Sequence, residues 1–161
     1  YTGMIISTRE SQKSREKALQ LGISQISGAS STSVGGYVEK ETDENNTAQF
    51  DRSDTRTLDE VLNWLLELGY IPSFCTACYR QGRTGDRFMP LAKSGAIQNC
   101  CQPNALLTLK EYLEDYASKD TKIKGDKVIA AEVKKIPNDK VRETTIDYLD
   151  KIVHGSRDFR F

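Results

Sequence analysis

The sequence predicts an α/β chain in which a short strand–helix–strand unit is followed by a mainly helical region. Apolar and polar residues alternate in Ile23–Ser27, as in a strand, and a short buried strand is predicted before them at Tyr1–Ser7. From residue 57 onward, apolar residues instead recur every three or four positions, which is the helical period. The 161 residues have room for about one domain, or for parts of two.

The opening unit places polar side chains where parallel strands usually bind ligands. Ser11 caps the connecting helix and Gly22 ends it, and its apolar residues are Ala18, Leu19 and Leu21. Strands joined by a helix run parallel, and ligands bind at the carboxyl ends of parallel strands. That rim would carry Ser7, Thr8, Arg9 and the small-residue loop 28–36. A flexible connector explains the loop equally well.

Residues 39–56 separate this unit from the helical region. They are polar and charged with little to bury, so we interpret them as a linker or surface excursion. The predicted domain limits are therefore 1–38, 39–56 and 57–161.

Four helices are predicted in residues 57–161. Thr57 and Glu60 form a capping box for the first, Gly69 ends it, and Trp64 on it is expected to pack rather than to bind a cofactor. Pro103 and Asn104 start the second, and Asp126 caps the third, which runs through Val133. Pro137 and Asn138 open the fourth, and His154 in its last turn suits the helix dipole better than a metal. The apolar residues of the first two are Leu58, Val61, Leu62, Leu65 and Leu68, and Leu106, Leu109, Leu113 and Tyr116.

Composition narrows the classes of partner. The 23 basic and 23 acidic residues cancel, so neither nucleic acid nor a membrane surface is favoured. No apolar run approaches the roughly 20 residues of a membrane helix, and no leader-like segment precedes the first strand, so we expect an intracellular protein. Because the first residue is not Met, we interpret the chain as the later part of a longer protein.

Three cysteines carry the strongest functional signal. Cys75, Cys78 and Cys101 follow the spacing Cys-x2-Cys-x22-Cys, and three converging thiolates suit an iron–sulfur cluster with one iron left open. Cys101 is expected just before a helix, where the helix dipole lowers a thiol pKa. Nearby glycines and Arg80, Arg83 and Arg87 could stabilise an anionic cluster, although the arginines fit surface or carboxylate contacts as well.

Spacing alone leaves three alternatives open. A structural zinc site needs four ligands, and the only spare ligands are Cys100 and the distant His154. A thioredoxin-like dithiol needs its pair to open a helix, and the residues after Cys78 are a poor helix start. Buried, inert thiols are the third, and they suit Cys100 better than three cysteines at once.

The segment from Cys75 to Ala117 closely resembles the C-terminal domain of the HydG family of FeFe-hydrogenase maturases, which are radical S-adenosylmethionine (SAM) tyrosine lyases. The family carries the same Cys-x2-Cys-x22-Cys pattern. Residues Ile6–Glu10 and Ile23–Tyr37 resemble the last strands of the family's (β/α)8 barrel, and Gly155–Phe161 resembles its terminus. The resemblance thus covers essentially the whole chain and implies a barrel end followed by a helical auxiliary-cluster domain.

The resemblance implies a definite chemistry. In the family, a first 4Fe-4S cluster cleaves SAM, and the resulting radical breaks tyrosine into p-cresol and a fragment that yields carbon monoxide and cyanide. An auxiliary 4Fe-4S cluster, carrying an additional iron held through free cysteine, captures them as an Fe(CO)(CN) precursor of the hydrogenase H-cluster. The implied auxiliary-cluster ligands are Cys75, Cys78 and Cys101. Cys100 departs from the pattern, as a bystander or as a competing ligand.

The resemblance also implies substrate contacts and a limit on this chain. Arg9 matches a position near the tyrosine pocket, and Ser24 or Ser27 would supply a hydroxyl beside it, although all three residues also fit strand-end or ion-pair roles. The Cys-x3-Cys-x2-Cys motif of the SAM cluster is absent, so we expect these residues alone to be inactive and name none as catalytic. Implied partners are tyrosine, SAM and other hydrogenase maturation proteins, in an anaerobic cytoplasm or organellar stroma.

Overall fold

The structure is a computed structural model that describes residues 4–37 and 48–161. It divides the chain into two compact units, Tyr1–Val61 and Leu62–Phe161. The first three residues of the predicted opening strand, and residues 39–47 of the predicted linker, lie outside the described residues. The predicted domain limits stay a prediction.

The first unit contains the predicted parallel strand–helix–strand arrangement. Strand β1 (Ile5–Ile6) pairs with β2 (Gln25–Ile26) in parallel, and α1 (Gln12–Gln20) connects them. The Ser11 side chain accepts a hydrogen bond from the Ser14 N–H at 3.2 Å, which confirms the predicted helix cap. Burial of the first strand was wrong for Ile5, which is 67% exposed. Among the described residues, two of each strand pair, so the sheet seen there is smaller than predicted.

The interior of the first unit contains charged side chains that the sequence did not predict there. Arg15 on α1 is fully buried, and its guanidinium contacts the Asp54 carboxylate and the Ser27 carbonyl. Arg56 grips the same carboxylate through Nε at 2.9 Å and Nη2 at 2.6 Å. The backbone N–H of Asp54 donates to the Thr8 carbonyl at 3.0 Å. Part of the predicted linker is therefore buried beside the strand ends.

Helix α2 (Leu58–Glu67) begins with the predicted capping box. The Glu60 carboxylate accepts the Thr57 N–H at 2.8 Å, and the Thr57 hydroxyl accepts the Glu60 N–H at 3.3 Å. Gly69 ends the helix with φ +81°, in the left-handed region that favours glycine. Trp64 is buried, as its predicted packing role requires.

The rest of the second unit is helical. Short helices α3 (Ala77–Arg80) and α4 (Met89–Lys93) and 3₁₀ turns at Gly85–Arg87 and Ala96–Asn99 precede the long helices α5 (Cys101–Asp115), α6 (Lys119–Glu132) and α7 (Asp139–Val153), with a 3₁₀ turn at Val133–Lys135. Helix α5 packs against both α6 and α7. Their apolar core contains Leu66, Leu106, Leu109, Leu113, Ile129, Val133 and Ile136. No helix in the described ranges is both long and apolar enough to cross a membrane.

Of the predicted starts of the three long helices α5, α6 and α7, two were wrong and one was right. Helix α6 does not begin at Asp126, because Ser118 caps it earlier and accepts the Thr121 N–H at 3.4 Å; Asp126 instead contacts Lys110 Nζ at 2.7 Å. Helix α5 begins before Pro103, which is tolerated in the first turn because no intrahelical partner exists there for its missing N–H. The predicted Asn138 cap is confirmed, since its side chain accepts the Val141 N–H at 3.0 Å.

Candidate metal centre

Two segments of the second unit carry the four cysteines, all of them free thiols and half-buried. Cys75 lies in the loop after α2, and Cys78 lies in the single turn of α3. Cys100 caps the amino end of α5, and Cys101 is the first residue of that helix. One pair therefore sits on a short, turn-rich segment and the other at the start of a long, buried helix.

The segment between the two cysteine pairs is irregular apart from short helical turns. Gly82 and Gly95 have φ +62° and +76°, so each occupies a position where a side chain would strain the backbone. Gly82 follows α3 and limits it to one turn, which agrees with the poor helix start expected after Cys78. These turns bring the chain back toward the start of α5.

The other three thiols lie within electrostatic reach of Cys101. The pKa of the Cys101 thiol rises to about 11, first because the thiol is buried and then because Cys100, Cys78 and Cys75 repel its thiolate. Arg83 acts in the opposite direction. The expected lowering of this pKa by the helix dipole was wrong, because burial and like charge outweigh it. Each of the other three thiols is near enough to influence Cys101.

Electrostatic reach between thiols is not yet a coordination geometry. Within residues 4–37 and 48–161, no group of three His, Cys, Asp or Glu side chains is arranged as a metal site. The surroundings nevertheless suit an anionic cluster. The Ala77 N–H donates to Cys75 Sγ at 3.4 Å, and Arg83 Nε is a buried donor with no hydrogen-bond partner in the described part of the chain. Such donors stabilise the sulfurs of an iron–sulfur cluster, so the residues fit that group.

Cys100 has other contacts. Its thiol donates to the main-chain oxygen of Phe161 at 3.6 Å, and it accepts from Arg83 Nη2 at 3.8 Å and Asn104 Nδ2 at 3.9 Å. Two of these partners, Arg83 and Asn104, also donate to the same Phe161 oxygen. Cys100 thus belongs to a contact between the start of α5 and the end of the described chain.

The arginines of the cysteine segment divide into two roles. Arg80 forms an exposed ion pair with Asp158, through Nη1 at 2.5 Å and Nη2 at 3.3 Å, which is the carboxylate role that its sequence also allowed. Arg83 lies among the cysteines, where it opposes the rise in the Cys101 pKa. Arg87 is exposed. Arg83 is therefore the arginine placed to act on a cluster.

The three predicted substrate contacts lie at different ends of the strand pair. Arg9 follows the carboxyl end of β1, where its guanidinium carbon lies 3.7 Å from the centroid of the Phe50 ring. Ser27 follows β2 at the same end, and its N–H donates to the Ile6 carbonyl at 3.0 Å. Ser24 precedes β2 and so lies at the opposite end. The structure brings Arg9 and Ser27 to one rim and leaves Ser24 away from it.

Sequence reasoning missed the residues that organise both regions. Arg15 is four residues before Leu19, which places a cation on the apolar face of α1; this is a detectable signal of a buried ion pair. Its partner Asp54, 39 residues away, gives no such signal. The contact of Asn104 with Phe161, 57 residues apart, is equally invisible in the sequence.

Comparison with known proteins supports the resemblance. Residues 1–71 match the model of the Biotin and Thiamin Synthesis associated domain. The chain is similar to a crystal structure of HydG, described as a maturase of the [FeFe]-hydrogenase. The two sequences are 53% identical, and the TM-score of the two structures is 0.90. The match covers 100% of this chain and 34% of that one, so this chain spans about a third of the relative's length. No curated protein sequence matches.

The two matches agree on the kind of protein. At 53% identity over every residue, the likeness extends well beyond a shared fold. The match to the Biotin and Thiamin Synthesis associated domain is consistent with the C-terminal part of a radical SAM enzyme. The recognition made from the cysteine segment is thereby confirmed: over its whole length the chain matches the C-terminal portion of HydG.

Proposed function

We propose that this chain is the part of a radical SAM tyrosine lyase that holds the auxiliary 4Fe-4S cluster. The parent enzyme would convert tyrosine to p-cresol, carbon monoxide and cyanide, and would assemble an Fe(CO)(CN) precursor of the FeFe-hydrogenase H-cluster. The 53% identity to HydG supports the family, and the Cys-x2-Cys-x22-Cys pattern supports the cluster. The observation that carries the proposal is that this cysteine pattern lies in a chain 53% identical to HydG over all of its residues.

The chain's own residues prepare a site for three thiolates. Without metal, burial first, and then the charges of Cys100, Cys78 and Cys75, raise the pKa of the Cys101 thiol. A bound cation removes that repulsion, so cluster binding and thiol deprotonation favour each other. Arg83 and the Ala77 N–H are placed to donate to the sulfurs.

The cluster, when bound by three cysteines, supplies an open iron that can hold an additional iron through free cysteine. In this proposal the additional iron, carbon monoxide and cyanide are the cargo of the site. Cys100 takes no part in ligation, since its thiol contacts Phe161, Arg83 and Asn104.

Arg9 is proposed to hold the tyrosine carboxylate. An arginine fork binds a carboxylate through two parallel hydrogen bonds, and stacking on the Phe50 ring holds the guanidinium plane in place. Ser27 lies at the same rim, and Ser24 is retained from the resemblance alone. The exposure of Ile5 agrees with β1 and β2 being the last strands of a larger barrel.

The remaining parts of the proposal come from the family. These residues alone would be inactive because the motif of the SAM-cleaving cluster is absent from them. The parent enzyme would bind tyrosine and SAM and would act with other hydrogenase maturation proteins. We place it in an anaerobic cytoplasm or organellar stroma.

Anaerobic reconstitution with iron and sulfide tests the cluster. We expect a brown protein with roughly four irons and four sulfides per chain, and up to one more iron with added cysteine. Cys78→Ala should lose the colour, whereas Cys100→Ala should keep it. One tightly bound, colourless zinc that requires Cys100 would overturn the proposal and support a zinc-stabilised binding module instead.

A further inference from the structure

The last six residues, 156–161, form a tail that is fixed along its length to the second unit. Arg157 contacts the Asp115 carboxylate, and its Nη1 donates to the Ile152 carbonyl at 2.7 Å. The Asp158 N–H donates to the Glu111 carboxylate at 2.7 Å. Asp158 has φ +67°, a conformation uncommon outside glycine. Its ion pair with Arg80 and this hydrogen bond explain why the tail keeps that conformation.

Aromatic stacking secures the tail from the side of α7. The Phe159 ring lies 4.3 Å from the Tyr148 ring at an interplanar angle of 16°, and the Phe161 ring lies 5.8 Å from the same tyrosine. Tyr148 lies on α7, which is far in sequence from the segments that carry the four cysteines. The tail can therefore be loosened at Tyr148 without changing any residue of the cysteine segments.

The tail ends at Asn104 and Cys100. Asn104, which is 2% exposed, accepts the Phe161 N–H at 2.8 Å and donates to the Phe161 main-chain oxygen at 3.3 Å. The same oxygen accepts hydrogen bonds from Arg83 at 3.4 Å and from the Cys100 thiol at 3.6 Å. The sulfur of Cys100 thus has three polar partners, whereas the thiol of its neighbour Cys101 makes no such contact within the described residues.

We propose that this contact, the tail clamp of Arg83, Asn104 and Phe161, selects the third cluster ligand by holding the Cys100 thiol away from it. The inference rests on the proposed cluster site. Two adjacent cysteines are chemically equivalent ligands, so something besides thiol chemistry must choose between them. Recruiting Cys100 would break its bond to Phe161 and disturb the Asn104 amide, which is buried and must keep its partners. In residues 4–37 and 48–161, the Cys101 thiol has no such contact to break.

Thiol labelling tests the clamp without enzyme activity. In the reduced, metal-free chain, we expect Tyr148→Ala and Asn104→Ala each to raise the iodoacetamide labelling rate of Cys100 by about tenfold, because local opening of the tail exposes the thiol. Tyr116→Ala is the matched control: it removes a tyrosine that is 76% exposed and whose ring contacts Tyr112 rather than the tail. Phe159→Ala, which removes the ring stacked on Tyr148, replaces Asn104→Ala should that variant fail to fold.

Labelling after reconstitution tests ligand choice. In the wild-type protein, mass spectrometry should find Cys100 labelled and Cys75, Cys78 and Cys101 protected. In the loosened variants a share of molecules should protect Cys100 in place of Cys101. A wild-type cluster of normal iron content with unchanged labelling in all loosened variants would overturn this inference alone. A wild-type protein that protects no cysteine would overturn the proposed function and the inference with it.

Discussion

Different interactions stabilise the interiors of the two units. In the first, the largest fully buried side chain is Arg15, which contacts Asp54 and the Ser27 carbonyl. In the second, the fully buried side chains are chiefly apolar ones of the long helices, such as Leu109 and Ile152. The first unit therefore depends on a buried ion pair, whereas the second depends on the close packing of apolar side chains. Each can therefore be damaged by a change that spares the other.

The largest effect should come from a cavity in the second unit. Leu109 is fully buried in the α5 core, and Leu109→Ala should lower the free energy of unfolding by about 2–5 kcal/mol. Urea unfolding followed by the fluorescence of buried Trp64 measures the loss. Ile123→Ala on α6, where the side chain is 56% exposed, is the control and should change stability by no more than about 0.5 kcal/mol. Equal losses in the two variants would show that the apolar core is not what holds this unit.

A smaller effect should follow acidification of the first unit. Hydrogen bonds from Arg56 lower the pKa of Asp54 to about 2, although burial acts in the opposite direction. A carboxyl whose folded pKa is depressed stabilises the fold above its ordinary pKa. That stability, about 2 kcal/mol, is lost as pH falls through roughly 4 to 2.

Unfolding between pH 5 and pH 2 measures this loss. Asp54→Asn should be less stable than the wild type at pH 5, and the gap should narrow toward pH 2. Asp51→Asn, on the exposed part of the same segment, should keep the wild-type dependence. A constant gap between wild type and Asp54→Asn across this range would mean that the ionised carboxylate does not stabilise the first unit.

The sequence predicted contacts between residues that are close in the chain and missed contacts between distant ones. The Ser11 cap, the Thr57–Glu60 capping box and the Asn138 cap were predicted because each depends on residues three apart. The burial of Arg15 could not be predicted, because a buried cation needs a partner, and Asp54 is 39 residues away. The failed Asp126 start is a local error: Ser118 caps the helix about two turns earlier.

The ligands of the candidate site stay a prediction from cysteine spacing, and the pKa of Cys101 could not be predicted from the sequence. Spacing selected Cys75, Cys78 and Cys101, and the structure brings the other thiols within electrostatic reach of Cys101. The direction of the Cys101 pKa was not predictable from its helix position, because the burial of α5 and the proximity of other thiols arise from tertiary packing. The contact of Cys100 with Phe161 spans 61 residues and likewise depends on the folded tail.

The smallest effect should come from the helix caps. A serine side chain caps a helix in each unit, so the same substitution can be compared between the two units. Ser11→Ala removes the acceptor for the Ser14 N–H in the first unit, and Ser118→Ala removes the acceptor for the Thr121 N–H in the second. Each should cost about 1 kcal/mol, which corresponds to roughly fivefold faster amide exchange in the affected helix. Ser53→Ala, which removes no cap, is the control. If Ser11→Ala accelerates exchange in α5 and α7 as much as in α1, the two units unfold cooperatively. The ion pair of the first unit and the apolar core of the second would then not stabilise the units independently.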